Sequence, residues 1–293
     1  MSLMTRGFRL MAKRSDAIRD RGLLTPEDIE RCNDIDYIGD GITEHLLDVY
    51  YPKAPTKLLP TIVSIHGGGW VYGSKEIYQF YGMNLAQRGF AFVNFNYRLA
   101  PNYRYPSPLE DTAKVFSWLR DHAKNYHIDL ENIFMVGDSA GAQLACQYAA
   151  ICTNPDYAKR LKFETTSINI KALALNCGVY DPFLLMAKKN GKPSGLVKDY
   201  FGKDYHRFIE EVNYQNYITS DFPPCFVMTS LNDSLSPFSL PFVKQMSLLN
   251  IPHLYKEYGQ NDPMSGHVFH VNIRNDEAKR CNDDEIDFFK SFI

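Results

Sequence analysis

The sequence lacks several features that mark other classes of protein. Its six cysteines are scattered without C-x-x-C spacing, and such a distribution in a chain of this length predicts reduced thiols rather than a disulfide framework. Charge of one sign is also missing, because 32 Lys and Arg residues nearly balance 34 Asp and Glu residues. Without a basic field to hold a phosphate backbone, we expect no nucleic acid partner.

Long hydrophobic runs are absent from the N-terminal region. Residues 1–21 carry a charged residue every few positions, which interrupts the apolar stretch that a signal peptide or membrane anchor requires. We therefore expect a cytoplasmic location without stable membrane association. We also expect no interfacial segment or long exposed apolar helix of the kind that binds lipid droplets.

What is present is an alternation of short apolar runs with longer segments of helical spacing, which predicts an α/β fold whose mostly parallel sheet is flanked by helices. A single domain over residues 1–293 suits this length. The predicted strands are Ile42–Tyr50, Thr61–Ile65, Phe90–Tyr97, Asn132–Val136, Ala172–Cys177, Cys225–Ser230 and His253–Tyr258. The predicted helices are Pro108–Tyr126, Ala140–Thr153, Leu240–Leu249 and Asp284–Phe292, the last with its N-cap in Asn282-Asp283-Asp284-Glu285.

Two segments fall outside this alternation and predict a small helical cap over a pocket. The first is Met4–Asp36, where Thr25-Pro26-Glu27-Asp28 resembles an N-cap followed by proline at the first helical position. The second is Pro182–Phe222, which carries more aromatic and apolar residues than a connecting loop needs.

A candidate nucleophile lies in Gly137-Asp138-Ser139-Ala140-Gly141. This G-x-S-x-G motif directly follows an apolar strand and opens an Ala-rich helix, which is the setting that exposes a serine on a sharp strand-to-helix turn. Glycines at both ends of the motif suit the close approach of strand and helix backbones. We therefore predict that Ser139 is a catalytic nucleophile.

A serine nucleophile needs a histidine base and a carboxylate that orients it. Asp233 is the favoured acid because it follows the predicted strand Cys225–Ser230, with Asp221 and Asp262 as alternatives. His267 is the favoured base because it follows the last predicted strand and precedes the final helix. His270 is its nearest competitor, while His253 and His206 are placed less favourably.

Backbone N–H groups that stabilise an oxyanion are predicted in His66-Gly67-Gly68-Gly69-Trp70, which follows the strand Thr61–Ile65. Gly68 and Gly69 would act together with Ala140, the residue after the nucleophile. A phosphate-binding loop is disfavoured, since neither Gly-Lys-Ser/Thr nor G-x-G-x-x-G occurs. No metal or organic cofactor is implied.

Three motifs together resemble the hormone-sensitive-lipase family of esterases, which have the α/β-hydrolase fold: His66-Gly67-Gly68-Gly69-Trp70, Tyr97-Arg98-Leu99-Ala100-Pro101 and Gly137-Asp138-Ser139-Ala140-Gly141. The resemblance implies a triad of Ser139, Asp233 and His267 acting on a small acylated substrate. It gives weak preference to short, acetyl-type acyl chains. The predicted walls of the substrate pocket are Trp70, Tyr72, Phe183 and Met186.

Two alternatives remain at this stage. The His-Gly-Gly-x-Trp pattern at residue 66 is also similar to that of kynurenine formamidases, which predicts formamide hydrolysis. The plant gibberellin receptors resemble the same family but lack the catalytic histidine, so a non-catalytic binder is the second alternative. An exposed final helix or edge strand could pair two subunits into a homodimer.

Overall fold

A single twisted sheet forms the centre of the protein in a computed structural model, which describes residues 1–183, 194–260 and 262–293. Its strands are β1 Ile29–Asp36, β2 Leu46–Pro52, β3 Leu59–Ile65, β4 Ala91–Phe95, β5 Ile128–Asp138, β6 Ile170–Asn176, β7 Cys225–Ser230 and β8 His253–Tyr258. They lie in the order β1-β2-β4-β3-β5-β6-β7-β8. The β1/β2 and β2/β4 pairs are antiparallel and the other neighbours are parallel, so the mostly parallel sheet is confirmed.

Helices cover both faces of this sheet. They are α1 Leu3–Asp20, α2 Lys75–Ala86, α3 Ser107–His122, α4 Ala140–Thr153, α5 Pro155–Leu161, α6 Gly195–Phe201, α7 Ile209–Val212, α8 Ser239–Leu248 and α9 Asp276–Lys290. Short 3₁₀ turns occur at Thr43–His45, Ala123–Tyr126, Tyr205–Phe208, Tyr214–Tyr217, Ser236–Phe238 and Phe269–Val271. In the described part of the chain, no helix is both long enough and apolar enough to cross a bilayer.

The apolar runs of the central strands are explained by burial on both faces of the sheet. In β5, Met135 faces the core layer that contains Phe116 of α3. The preceding Phe134 faces the opposite layer, where its ring stacks on Phe289 of α9 at 4.7 Å. Because successive strand residues point to opposite faces, a strand covered by helices on both sides needs apolar residues at every position.

The N-terminal region differs from its prediction. No helix begins at Thr25, because the carbonyl of Pro26 accepts a bond from Ile29 in a turn that leads into β1. Residues 29–36, predicted as cap, instead pair antiparallel with β2 at the edge of the sheet. The polar sequence of β1 suits an edge strand, whose outer side needs no apolar cover.

The final helix also differs, since α9 begins at Asp276 rather than Asp284. Its N-cap is Asn275, whose side chain accepts a bond from the backbone N–H of Ala278. The predicted cap Asn282-Asp283-Asp284-Glu285 therefore lies inside the helix. Asn282 and Glu285 face the core there, with their side chains buried.

Helices α1 and α6 lie together over the pocket at the carboxyl edge of the parallel strands. Thr5 Oγ1 of α1 donates to Asp199 Oδ2 of α6 at 2.6 Å, and the backbone N–H of Ser2 donates to the same oxygen at 2.8 Å. Ser2 and Ser194 are the N-caps of the two helices. We call this pair of helices the cap; residues 184–193 of the predicted cap segment lie outside the described residues.

Candidate active site

Ser139 lies on a sharp turn between β5 and α4. Its backbone angles are φ 52° and ψ −116°, an uncommon conformation for a residue with a side chain. The turn is fixed on both sides, because the Ser139 N–H donates to Asn176 O and the Ser139 carbonyl accepts from the Val179 N–H, both at 3.0 Å. A Cβ on Gly141 would collide with the Ile65 carbonyl, which explains glycine at that position.

The structure brings together the three residues predicted as a triad. His267 Nε2 lies 3.0 Å from Ser139 Oγ, and His267 Nδ1 lies 2.7 Å from Asp233 Oδ2. Asp233 is buried, and burial opposes its ionisation. The hydrogen bond and charge of His267, together with the Leu235 N–H, outweigh burial and lower the pKa of Asp233. An ionised carboxylate therefore faces one side of the imidazole and a serine hydroxyl faces the other.

The alternative acids and bases lie elsewhere. Asp262 accepts from Ser265 Oγ at 2.6 Å and from Asn275 Nδ2 at 2.7 Å, so it braces the loop before His267. Asp221 is exposed on the turn before β7. His270 is buried with its ring edge-on to Tyr81, and burial lowers its pKa to about 3. The other two candidate bases also lie away from Ser139. The ring of His253, at the start of β8, bonds to Ser247 and to the Ile251 carbonyl, and the ring of His206 packs on Tyr205 beyond α6.

Two of the predicted oxyanion donors, Gly68 and Gly69, line the same cavity as Ser139, and the third, Ala140, directly follows Ser139 in the chain. Gly68 and Gly69 have φ of 107° and 59°, and a Cβ on Gly68 would collide with the carbonyl of Tyr72. Ala140 is the first residue of α4, where a helix leaves its N–H groups unpaired. Within the described residues, the N–H groups of Gly68, Gly69 and Ala140 have no hydrogen-bond acceptor.

Asp138 is a functional candidate that the sequence reasoning missed. Its buried carboxylate accepts from the Gly67 N–H at 3.0 Å and from the Tyr78 hydroxyl at 2.8 Å. Burial raises its pKa to about 6 despite these bonds. Asp138 thus ties the Gly67–Gly69 loop to the turn that carries Ser139. The only signal in the sequence was an acid inside the serine motif, which alone does not reveal its partners.

A cavity of about 680 Å³ opens in front of Ser139 and His267. Trp70 and Tyr72 line it, and the Tyr72 hydroxyl donates to Asp16 Oδ2 at 2.7 Å. Phe183 does not line it, because its ring packs against Phe201 and Tyr205 instead. Met186 lies outside the described residues. The prediction that Met4–Asp36 forms part of a cap did not say which of its residues face the pocket. Six residues of α1 line it, namely Met4, Phe8, Ala12, Ser15, Asp16 and Arg19.

Cys177, at the end of β6, also reaches this site. It has a φ of 49°, its thiol donates to Met228 Sδ at 3.9 Å, and its sulfur lies within 4.8 Å of an Asp233 carboxylate oxygen. Potential metal-ligand atoms of Cys177, Asp233 and His267 lie within 4.8 Å of one another. Burial raises the pKa of the Cys177 thiol well above its usual value, which disfavours the thiolate that a metal would require. The group therefore fits a hydrogen-bonded triad better than a metal centre.

Curated relatives include esterases. The chain is 30% identical to an acetyl esterase of Salmonella dublin over 220 residues, which are 71% of this chain and 65% of that protein. It is 28% identical to the esterase LipQ of Mycobacterium tuberculosis over 251 residues, which are 77% of this chain and 56% of that protein. The chain thus spans less than two thirds of the length of these relatives.

Solved structures share the fold. Esterase B from Lactobacillus rhamnosis superposes with a TM-score of 0.90 at 24% identity, covering 99% of this chain and 95% of that one. A bacterial heroin esterase superposes with a TM-score of 0.75 at 18% identity, and the match covers 97% of this chain and 90% of that one. The BD-FAE family model matches residues 47–241, from β2 to α8. The chain therefore belongs to the BD-FAE family, within the α/β-hydrolase esterases that its motifs predicted.

Proposed function

We propose that the protein is a serine esterase that hydrolyses short-chain carboxylic esters, acetyl esters among them, through an acyl-enzyme on Ser139. The observation that carries this proposal is the unbroken chain from Asp233 through His267 to Ser139, with contacts of 2.7 Å and 3.0 Å. A serine held in this way gains a base at neutral pH.

In the first half of the reaction, Ser139 Oγ attacks the ester carbonyl carbon and its proton passes to His267 Nε2. The carbonyl oxygen becomes negative beside the unpaired N–H groups of Gly68, Gly69 and Ala140. When the tetrahedral intermediate collapses, the bond to the alcohol oxygen breaks. His267 returns its proton to that oxygen, and the alcohol leaves.

In the second half, water attacks the acyl-enzyme while His267 accepts its proton. The same donors stabilise the second oxyanion, and collapse releases the acid and restores the Ser139 hydroxyl. Asp233 keeps the imidazole in one tautomer and favours the imidazolium that forms in each half. All groups required for both halves belong to this chain.

The cavity supports an ester of modest size. A volume of about 680 Å³ exceeds the needs of an acetyl group alone, so it leaves room for the alcohol or a longer acyl chain. Among the relatives, one is named acetyl esterase, and Esterase B is described with a tributyrin phosphonate inhibitor. We therefore place acetyl and butyryl esters within the accepted range.

The test is hydrolysis of p-nitrophenyl acetate, butyrate and octanoate by the wild type and by variants. Ser139→Ala should abolish turnover, and Asp233→Asn should lower kcat on the order of 10⁴-fold because it stabilises the wrong imidazole tautomer. Asp221→Asn is the matched control and should retain activity, since that carboxylate is exposed before β7. Full activity in Ser139→Ala would refute the mechanism.

Two further measurements separate the alternatives. Comparison of kcat/KM for N-formylkynurenine and for p-nitrophenyl acetate distinguishes a formamidase from an esterase. Labelling of the folded protein with a fluorophosphonate distinguishes an enzyme from a binder. An esterase should be labelled in the wild type and not in Ser139→Ala, whereas an unlabelled wild type would favour the non-catalytic alternative.

A further inference from the structure

Helix α1 has an inner face on which two arginines bond to the rest of the protein or to acids of the same helix. Arg9 donates to the carbonyls of Val71 and Ala100 at 2.6 Å and 2.8 Å. Arg19 donates to Asp16, Asp20 and the Ile77 carbonyl. Because these bonds fix the rotation of the helix about its axis, the opposite face must remain turned outward.

The outer face of α1 carries apolar and cationic side chains only. Its exposed apolar residues are Leu3 (85%), Leu10 (73%), Met11 (68%) and Ile18 (55%). Between and beside them lie the exposed cations Arg6, Lys13 and Arg14, which form no ion pair within the described residues. The two acids of the helix, Asp16 and Asp20, are both engaged by Arg19 on the inner side. We call these seven residues the outer face.

Exposed apolar residues are ordinary when scattered, but here they are concentrated. Of the sixteen large apolar side chains exposed in the described part of the chain, seven lie within residues 1–24. Two more, Leu231 and Met264, lie in the loops that carry Asp233 and His267. A concentration of exposed apolar residues is a feature of interaction sites. Helix α1 is amphipathic, with charged residues among its apolar ones, so it differs from the long exposed apolar helix whose absence the sequence predicts.

We propose that the outer face of α1 is a peripheral docking site for an anionic lipid surface. Leu3, Leu10, Met11 and Ile18 would enter the boundary between headgroups and acyl chains, while Arg6, Lys13 and Arg14 would contact anionic headgroups. An amphipathic helix with cations beside its apolar residues has the chemistry of interfacial binding. An uncharged or cationic partner would leave the three cations without counter-ions.

Docking in this orientation would place the pocket close to the lipid surface. The inner face of α1 forms one wall of the cavity through Phe8, Ala12 and Asp16. The cavity and the docking site are thus separated by the thickness of one helix, about 10 Å. The inference does not depend on the reaction, because binding can be measured in a protein that hydrolyses nothing.

The test is co-sedimentation of the full chain with sucrose-loaded vesicles. The wild type should bind mixed phosphatidylcholine–phosphatidylglycerol vesicles more tightly than pure phosphatidylcholine vesicles, and added salt should weaken the binding. The apolar variant L10S/M11S/I18S should lose binding. The charge variant R6Q/K13Q/R14Q should bind on the order of 100-fold more weakly, at about 5-fold for each cation removed.

The matched control is L240S/L248S on α8, which removes two exposed leucines far from α1 in the sequence and should bind like the wild type. All variants should hydrolyse dissolved p-nitrophenyl acetate at the wild-type rate, because none of the altered residues lines the cavity. The charge variant keeps the test decisive if the apolar variant does not fold, since it removes only surface charges.

Two outcomes would overturn the proposal. The first is that the wild-type protein does not sediment with anionic vesicles. The second is that analytical ultracentrifugation shows a wild-type dimer that the variant L10S/M11S/I18S does not form, while this variant binds vesicles as the wild type does. The second outcome would assign the outer face to another copy of this chain.

Discussion

Replacing Ser139 with glycine should make the protein more stable than replacing it with alanine. At φ 52° and ψ −116°, a residue with a Cβ is strained, and such strain costs about 1–3 kcal/mol. Glycine relieves it but adds about 0.4–1 kcal/mol of chain entropy to the unfolded state. The free energy of unfolding of Ser139→Gly should therefore exceed that of Ser139→Ala by about 1 kcal/mol.

The assay is urea denaturation followed by circular dichroism, with both variants measured at the same pH. Alanine is the correct reference because both substitutions remove the hydroxyl that contacts His267. The corresponding difference in melting temperature is about 2–4 °C. Wild type is a poorer reference, since it keeps that hydrogen bond.

Ser117, within α3, provides a control of opposite sign. Its side chain bonds to the Ala113 carbonyl of the same helix, so glycine there should be less stable than alanine by about 1 kcal/mol. If Ser139→Gly is no more stable than Ser139→Ala while the Ser117 pair behaves as expected, the turn is not strained and the reasoning fails.

Three further predictions concern buried polar groups. Asp138→Asn should lower kcat on the order of 10-fold to 10²-fold with little change in KM, because its single amide oxygen can replace only one of the two carboxylate oxygens that accept from the Gly67 N–H and the Tyr78 hydroxyl; an unchanged kcat in steady-state assays would contradict this. Burial raises the pKa of Glu285 to about 7. As pH rises from about 4.5 to 7, the carboxyl ionises in the unfolded chain but stays protonated in the folded protein, so the free energy of unfolding falls. Urea denaturation should show that the free energy of unfolding of Glu285→Gln, relative to that of wild type, is about 3 kcal/mol higher at pH 8 than at pH 4.5. The same difference at both pH values would refute this prediction. Cys177→Ser should keep near wild-type kcat because a hydroxyl there can donate to the Asp233 carboxylate, which lies within 4.8 Å of the Cys177 sulfur. Cys177→Ala removes any donor at this position and should be slower by about 3-fold to 10-fold, as expected for one lost hydrogen bond; equal rates would count against this role.

The parallel strands were predictable because they are buried on both faces. A strand that is buried on both faces, such as Cys225–Ser230, needs a run of mostly apolar residues, and such a run can be recognised in the sequence. The order of Ser139, Asp233 and His267 was readable for a related reason, since parallel strands deliver their following loops to one edge of the sheet.

Other features depend on contacts that a local pattern does not contain. Strand β1 is defined by its pairing with β2, and its polar sequence could equally have formed a loop. The role of α1 in the pocket depends on contacts such as that between Thr5 and Asp199, which lie 194 positions apart. Phe183 was assigned to the pocket from its apolar character alone, but neighbouring rings hold it elsewhere.

The hydrogen bond from Thr5 to Asp199 has a consequence for how the protein is made. Helix α1 is synthesised long before its partner α6, because Thr5 and Asp199 lie 194 positions apart and α6 follows β6. During translation at about 5–20 residues per second, α1 would wait on the order of 10–40 s without that partner. Its residues that contact α6, such as Met4, whose sulfur accepts from the Gly195 N–H, lack that cover during this interval. A chaperone that recognises exposed apolar segments should therefore bind the nascent chain at α1.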